Sequence, residues 1–180
     1  MLYYTNNIFE TALYLKSITL ILSNYYYPMT QLNLENFLPY HLVVTADLIS
    51  HALAKVYAQH NITISEWRIL AHLATHESLT PGELGRLTNM EKARVSRALI
   101  LMDSKALITR TGDSFDKRIA HIKLTETGKN LYALIEPEVI TWNQQFHHVL
   151  GKEGYPRLLA GLKQLEQWGQ EQRHQPAFYD

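Results

Sequence analysis

The chain has 180 residues, of which 46% are hydrophobic, and its 17 basic residues balance its 17 acidic ones. This length is enough for one well-buried core and too short for two ordinary domains. Because cysteine is absent, disulfides, thiol-based redox sensing and cysteine-type zinc sites are excluded.

The first 28 residues differ in composition from the rest of the chain. Residues 1–28 are rich in Tyr, Asn, Ile and Leu, and their only charged residues are Glu10 and Lys16. They fit either an extra helix on the surface or an upstream stretch before a true start at Met29, and both alternatives stay open. The N-terminus lacks the basic region of a secretory signal, and no apolar run reaches about 18 residues. We therefore expect a cytoplasmic protein with no membrane partner.

Two helices are predicted before the most basic part of the chain. From Glu35 to about His60, apolar residues recur at spacings of three and four, which predicts a long amphipathic helix. Thr63 and Glu66 have the spacing of a capping box, in which each side chain accepts a backbone N–H of the other residue. A second helix should therefore begin there, with Trp67 on its inner side.

A helix–turn–helix pattern follows. Thr80 and Glu83 form another capping box, with Pro81 at the first helical position, and a second helix starts at about Met90. Four apolar residues form its inner stripe: Val95, Ala98, Leu99 and Met102. Four others point outward, where a recognition helix keeps the side chains that read bases and phosphates, and we predict DNA contacts for them: Lys92, Arg94, Ser96 and Arg97.

A β-hairpin is predicted directly behind this helix. The alternating segments 107–111 and 119–124 flank a polar turn that contains glycine. A hairpin in this position is a wing. Arg118 can reach the minor groove, where the negative potential is strongest, and Asp116 can hold its guanidinium by a charge-assisted hydrogen bond. Lys117 is assigned to the same DNA contact.

Positive charge is concentrated in the helix–turn–helix and hairpin. Residues 80–123 contain nine basic and five acidic residues, whereas the remainder contains eight basic and twelve acidic residues. The segment therefore has a net charge of +4 and the remainder −4. A basic face on an acidic body is what a polyphosphate partner requires, so the sequence predicts a double-stranded DNA partner.

Two further helices are predicted after the wing. Thr125 caps a helix through about Leu150, and Pro137 inside it predicts a kink or break near residues 133–136. Residues 152–168 form the last helix. We expect residues 29–62 and 125–170 to form a helical dimerisation region around a winged helix-turn-helix at 63–124, in one intertwined domain. Two-fold symmetry would then match an inverted-repeat operator.

From Leu38 to about Leu165 the sequence resembles the MarR family of winged-helix transcriptional regulators. The resemblance is carried by Glu66-Trp67-Arg68, by Val95-Ser96-Arg97, and above all by Asp116-Lys117-Arg118 followed by Leu124-Thr125 and Gly128. It implies a mainly α fold with a small β-hairpin wing and a flanking helical dimerisation layer. It also implies a homodimer that binds a near-palindromic operator, usually as a repressor, and releases it when a small, often phenolic, ligand binds.

A finer resemblance concerns the ligand. Leu38-Pro39-Tyr40 and Met90-Glu91-Lys92 resemble a proteobacterial subgroup often linked to catabolism of aromatic compounds. In that subgroup arginine commonly follows Leu-Pro-Tyr, whereas this chain has His41, so anion binding should depend on pH or use another cation such as Arg68. We expect a pocket for a small aromatic acid or phenol, such as a hydroxylated benzoate or cinnamate, lined by Tyr40, His41, Trp67, Arg68 and His72. A purely structural role, with His41 and Arg68 paired to acidic neighbours, is the alternative.

Signatures of catalysis are missing from the sequence. It contains no G-x-S-x-G elbow, no H-E-x-x-H motif, no phosphate-binding glycine loop and no cysteine nucleophile. We therefore expect neither an enzyme nor a cofactor. His72 and His76 have i, i+4 spacing and could hold a metal, although no third ligand is apparent. A metal-responsive regulator using histidines and carboxylates, and a winged-helix interaction scaffold, are the competing interpretations.

Overall fold

A computed structural model describes residues 32–112 and 120–172. The chain divides into two compact units, residues 1–45 and 46–180. The described part of the first unit contains a 3-10 turn at Leu34–Asn36 and the beginning of helix α1, Leu38–Ala58. The Asn33 side chain caps this turn by accepting the Glu35 backbone N–H at 2.9 Å. The extra helix considered for residues 1–28 lies outside the described residues.

The second unit contains the rest of α1 and all other described elements. In chain order these are α2 Ile64–Thr75, α3 Pro81–Thr88, α4 Lys92–Ser104, β1 Ile108–Gly112, β2 Ala120–Leu124, α5 Glu126–Asn143 and α6 Gln145–Gln172. The predicted fold class, mainly α with a small β-hairpin, is confirmed. None of the helices in the described ranges is long and apolar enough to cross a lipid bilayer.

Both predicted capping boxes are present. Thr63 accepts the Glu66 backbone N–H at 3.3 Å, and the Glu66 carboxylate accepts the Thr63 N–H at 2.9 Å. Thr80 and Glu83 make the same reciprocal pair at 3.2 and 2.8 Å. Each box satisfies amides that the first helical turn leaves without partners, which fixes where α2 and α3 begin. Asn89 ends α3 in the left-handed conformation, with φ of +51°.

The core of the second unit is built around α4. The predicted inner stripe is confirmed, because Val95, Ala98, Leu99 and Met102 are at most 2% exposed. They belong to a buried cluster to which α2, α3 and the hairpin also contribute, through residues that include Ile69, Leu70, Leu84, Leu107 and Ile122. Burying one face of α4 in this cluster leaves its opposite face in solvent.

The hairpin lies within one residue of its predicted position. Strands β1 and β2 pair antiparallel, from Ile108 opposite Leu124 to Gly112 opposite Ala120. Leu79, in the segment before α3, adds a bridge to β2: its N–H donates to the Ile122 carbonyl at 3.0 Å and its carbonyl accepts the Ile122 N–H at 2.8 Å. This bridge attaches the wing to the helix–turn–helix.

The two helices after the wing differ from the prediction. Helix α5 continues through Pro137 and ends at Asn143 rather than near Leu150. Proline removes one backbone donor, and the remaining hydrogen bonds carry the helix past it. The interruptions fall later, at Gln144 and at Gly151, whose φ of +72° is accessible to glycine without strain. The predicted final helix, residues 152–168, is the part of α6 that follows Gly151.

Candidate nucleic-acid interface

The outward face of α4 carries the predicted DNA-contact residues of the recognition helix. Four of them are exposed on this face: Lys92, Arg94, Ser96 and Arg97. The Arg97 guanidinium folds back along the helix, where its Nε donates to the Ala93 carbonyl at 3.4 Å. An exposed basic face on a helix whose other face is packed in the core is available for insertion into the major groove.

A groove beside α4 contains two further arginines, Arg86 and Arg110, for which the sequence predicted no specific DNA contact. Its volume is about 630 Å³, and it is lined by residues of α3, α4 and β1 that include Arg86, Lys92, Ser96 and Arg110. Strand alternation could have identified Arg110, because it shares a side of β1 with Ile108, which is buried against the helices. Arg86 carries no comparable signal, since a basic residue in the last turn of a helix is common whether or not it contacts DNA.

The tip of the wing lies outside the described residues, and with it Asp116, Lys117 and Arg118. The structure describes the two strands that lead to the tip. The DNA contacts of Asp116, Lys117 and Arg118 therefore stay predictions.

The C-terminal end of α4 is held by the residues that open α5. The Thr125 hydroxyl donates to the Ala106 carbonyl at 2.7 Å, and the Thr125 N–H donates to the Leu107 carbonyl at 3.0 Å. Thr125 also caps α5 by accepting the Gly128 N–H at 3.1 Å. One residue thus connects the recognition helix, the start of the wing and the helix that follows it.

Aromatic side chains stack around one predicted ligand residue in the second unit. The Trp67 ring lies between Tyr57 and Tyr132, with centroid distances of 5.5 and 6.0 Å and interplanar angles of 16° and 10°. Burial raises the pKa of Tyr57, and the charge of Arg68 opposes this shift. Burial also raises the pKa of Tyr132, together with the hydrogen bond from its hydroxyl to Glu136. The structure therefore places Trp67 in a stack where a flat aromatic molecule could compete for a ring face.

Arg68 contacts a hydroxyl rather than a carboxylate. Its Nη2 donates to Ser50 Oγ at 3.0 Å. Among the described residues, no acidic side chain forms an ion pair with Arg68. A half-buried guanidinium with hydrogen-bond donors to spare is suited to a carboxylate ligand.

His72 lies in the last turn of α2 and His76 is its C-cap residue, with ring centroids 6.3 Å apart. Burial lowers the pKa of His72, the neighbouring His76 lowers it further, and a hydrogen bond with the Leu87 backbone partly offsets both. The His76 Nδ1 atom is 2.8 Å from the His72 carbonyl. Within residues 32–112 and 120–172, no group of three or more His, Cys, Asp or Glu side chains could hold a metal ion. The metal-responsive interpretation therefore has no three-ligand site in this part of the chain.

Tyr40 and His41 belong to the first unit. Both are exposed, and their rings make an edge contact with centroids 5.7 Å apart. The His41 Nε2 atom is 2.7 Å from the Glu35 carbonyl oxygen. This backbone contact limits one ring nitrogen and leaves the other available to a ligand.

A helix–turn–helix followed by a paired hairpin, with cations along the outer face of α4, defines a winged-helix DNA-binding protein. The family model that matches is that of the MarR family, over residues 60–119. Over these residues the chain is similar to the MarR family of transcriptional regulators. The predicted resemblance to MarR-family transcriptional regulators is thereby confirmed.

Known proteins agree with this assignment over most of the chain. The HTH-type transcriptional regulator FarR of Neisseria gonorrhoeae is 28% identical over 128 residues, which are 69% of this chain and 88% of FarR. A solved MarR/EmrR family transcriptional regulator from Acinetobacter sp. ADP1 has a TM-score of 0.71 and 25% identity, and the match covers 78% of this chain and 99% of that one. The structure of NadR in complex with 4-hydroxyphenylacetate has a TM-score of 0.64 and 26% identity, covering 76% and 97%.

Proposed function

We propose that this regulator is a homodimeric repressor that binds a near-palindromic operator and is released by a small aromatic acid or phenol. The observation that carries the proposal is the exposed row of Lys92, Arg94, Ser96 and Arg97 on a helix buried along its other face. The arginine-lined groove beside this row extends the positive surface toward the wing. In this assignment residues 63–124 bind DNA, while 29–62 and 125–170 dimerise.

The DNA contacts divide into two sets. Arg94 and Arg97 contact bases and phosphates in the major groove, with Lys92 and Ser96 beside them. Arg118 enters the adjacent minor groove, oriented by Asp116 and accompanied by Lys117. Two recognition helices related by a two-fold axis then occupy half-sites whose centres are about 10 base pairs apart, or a multiple of that.

Salt-dependent DNA binding tests this assignment. Arg94→Ala, Arg97→Ala and Arg118→Ala should each weaken operator binding at fixed salt, and loss of one phosphate contact should reduce the slope of log affinity against log salt by about 1. Arg157→Ala is the matched control, because Arg157 is exposed on α6 and pairs with Glu153 at 2.7 Å. Three variants with the affinity and slope of the control would reject the assignment.

A second copy of the chain is the partner that the exposed apolar side chains of α6 require. No residue of α6 is buried in the single chain, although the helix has 28 residues. Val149 and Trp168 are 79% and 61% exposed. A long helix that exposes apolar residues marks an interaction surface, and a symmetric dimer covers it with an identical helix.

The effector is assigned to the aromatic stack and the cation next to it. Arg68 offers N–H donors that suit the carboxylate of an aromatic acid, and the stack of Tyr57, Trp67 and Tyr132 offers aromatic surface beside it. His72 lies on the same helix. Tyr40 and His41 of the first unit are proposed as ligand-binding residues from the sequence alone. NadR, which has a known structure with 4-hydroxyphenylacetate, supports this ligand class.

Calorimetry tests the effector. We expect hydroxybenzoates, hydroxycinnamates or 4-hydroxyphenylacetate to bind, and the titrations are repeated at several pH values. Arg68→Ala and His41→Ala should each reduce binding, whereas Arg157→Ala should not. The assignment fails if no compound binds at any pH, or if binding is the same in both variants as in the unchanged protein.

A further inference from the structure

A buried ion pair joins the first turn of α2 to the C-terminal end of α4. The Glu66 side chain is fully buried, and the Lys105 side chain is 25% exposed. Lys105 Nζ donates to Glu66 Oε1 at 2.7 Å and to the Asn61 carbonyl oxygen at 2.6 Å. Glu66 Oε2 accepts the Thr63 N–H at 2.9 Å. Both carboxylate oxygens are therefore occupied within the protein.

The main effect of this ion pair is to fix the distance between α2 and the C-terminal end of α4, rather than to stabilise the fold. Burying two charges costs hydration free energy, and the attraction between the charges offsets only part of this cost. A buried ion pair is therefore weak evidence for stability. An apolar pair could fill the same space without fixing a separation. The ion pair instead holds the C-cap residue of α4, Lys105, at hydrogen-bond length from α2.

Helix α2 is itself anchored to two of the long helices. Trp67 follows Glu66 directly and stacks between Tyr57 of α1 and Tyr132 of α5. Because neighbouring residues of one helical turn move together, the position of Glu66 is set by these two helices. Through Glu66, Lys105 connects α4 to the helices that we assign to the dimer interface.

We propose that Glu66 and Lys105 are positioning residues that set the tilt of α4 and thereby the half-site spacing that the dimer prefers. This inference rests on the proposed homodimeric, operator-binding function. Helix α4 is about 18 Å long, so a tilt of about 5° at the Lys105 end moves its DNA-contacting first turn by about 1.6 Å. In a two-fold dimer both helices move, and their separation changes by about 3 Å. That change is close to the rise of about 3.4 Å between base pairs.

Spacing preference distinguishes positioning from a DNA contact or a purely structural role. The probe is a duplex selected from a random-sequence library by the unchanged full-length protein, remade with its half-sites one base pair closer and one base pair further apart. Glu66→Gln removes the charge and keeps an acceptor for the capping box. Lys105→Met removes the ammonium. Lys129→Met is the matched control, because it breaks the exposed Lys129–Glu126 pair, which has the same 2.7 Å distance.

We expect Glu66→Gln and Lys105→Met each to reduce the affinity ratio between the best and the altered spacings by about fivefold, within the usual range of coupling between sites. The salt slope should not change, and the double variant should lose no more than the larger single loss. Lys129→Met should keep the ratio, and Lys105→Arg should restore most of it. If Lys105→Met does not fold, as judged by circular dichroism, Glu66→Gln decides alone.

Two results overturn the proposal while leaving DNA binding intact. One is an unchanged spacing ratio in the folded variants, which leaves the pair a structural role only. The other is a lower salt slope in Lys105→Met with no effect of Glu66→Gln, which makes Lys105 a phosphate contact. An unchanged protein that selects no duplex at all rejects the proposed function, and this inference with it.

Discussion

Gly128 lies in the first turn of α5, against the backbone of the residue that leads into the wing. A Cβ atom at this position would lie 2.2 Å from the Leu107 carbonyl oxygen and 3.2 Å from a methyl carbon of Leu124. The Leu107 oxygen cannot move away freely, because it accepts the Thr125 N–H at 3.0 Å. We expect Gly128→Ala to lower the free energy of unfolding by about 1–3 kcal/mol, the range for forced overpacking.

Urea denaturation measures this loss, and Gly161→Ala is its control. Gly161 is also helical, but nothing lies within 4 Å of a Cβ atom built there. Alanine at a helical position of this kind should be neutral or stabilising by about 0.5–1 kcal/mol. Equal effects of the two substitutions would contradict the close contact at Gly128.

His72 predicts a pH dependence of stability. Burial and the neighbouring His76 hold the pKa of His72 below its ordinary value in the folded protein. The unfolded chain therefore binds the proton more readily. The contribution of His72 to the free energy of unfolding is complete above about pH 6.5 and is lost as the pH falls through the pKa that His72 has in the folded protein. We expect the midpoint temperature of thermal unfolding to decrease as the pH is lowered from about 7 to about 5. In His72→Gln this decrease should be smaller.

The exposed His148 provides the comparison for His72. His148→Gln removes a histidine from the surface of α6 without changing the surroundings of α2. Thermal unfolding across the same pH range should leave the slope of this variant unchanged. If His72→Gln and His148→Gln flatten the profile equally, the burial of His72 is not its cause.

At the scale of single elements, the start of α3 depends on Thr80. Its hydroxyl accepts the Glu83 N–H at 3.2 Å, and the Glu83 carboxylate accepts the Thr80 N–H at 2.8 Å. The bond from the Thr80 backbone holds the pKa of Glu83 below its ordinary value. We expect Thr80→Ala to lower the free energy of unfolding by about 1 kcal/mol, the typical value for a lost N-cap. Thr80→Ser keeps the capping hydroxyl and should lose much less. Guanidinium denaturation of the three proteins measures the difference, and a Ser variant as weak as the Ala variant would rule out the hydroxyl as its source.

Helix starts and buried stripes were predictable from the sequence because their signals are local. A capping box needs two side chains three residues apart, and the α4 stripe needs only helical periodicity. Asn89 was similarly readable, since asparagine tolerates the left-handed conformation that ends α3. Ala106 adopts φ of +54° with no such signal in its residue type. This conformation lets the Leu107 N–H donate to the Met102 carbonyl at 2.9 Å at the end of α4, and the Thr125 hydroxyl binds the Ala106 carbonyl from 19 residues away.

Contacts between distant elements account for most of what the sequence could not predict. The Leu79 bridge to Ile122 and the Lys105 bond to Glu66 join residues 43 and 39 positions apart, and neither has a motif. Strand alternation places Arg110 on the same side of β1 as Ile108, but its place beside Lys92 in the groove depends on how the hairpin packs against α4. Pro137 predicted an interruption near residues 133–136, whereas the helix continues through it and the interruptions lie at Gln144 and Gly151.

At the scale of the whole molecule, the exposed apolar residues of α6 predict the state of assembly. Leu158 and Leu165 are 48% and 38% exposed and lie two helical turns apart, on one side of the helix. In the proposed homodimer this side is covered by the second copy. Aspartate at both positions would bury two charges without partners, which disfavours association far more than it affects the single chain.

We expect the double variant Leu158→Asp/Leu165→Asp to sediment as a 20.8 kDa monomer, while the unchanged protein sediments at twice that mass. Gln164→Asp adds one charge to another side of the same helix and should leave the dimer intact.

Because a dimer binds both half-sites at once, the monomeric variant should also lose operator affinity by about 100-fold or more, yet keep its circular dichroism spectrum and its weak affinity for a single half-site. A double variant that remains dimeric would place the interface elsewhere. One that becomes monomeric with unchanged operator affinity would show that the two recognition helices act independently, and the near-palindromic operator would then have no basis in the symmetry of the protein.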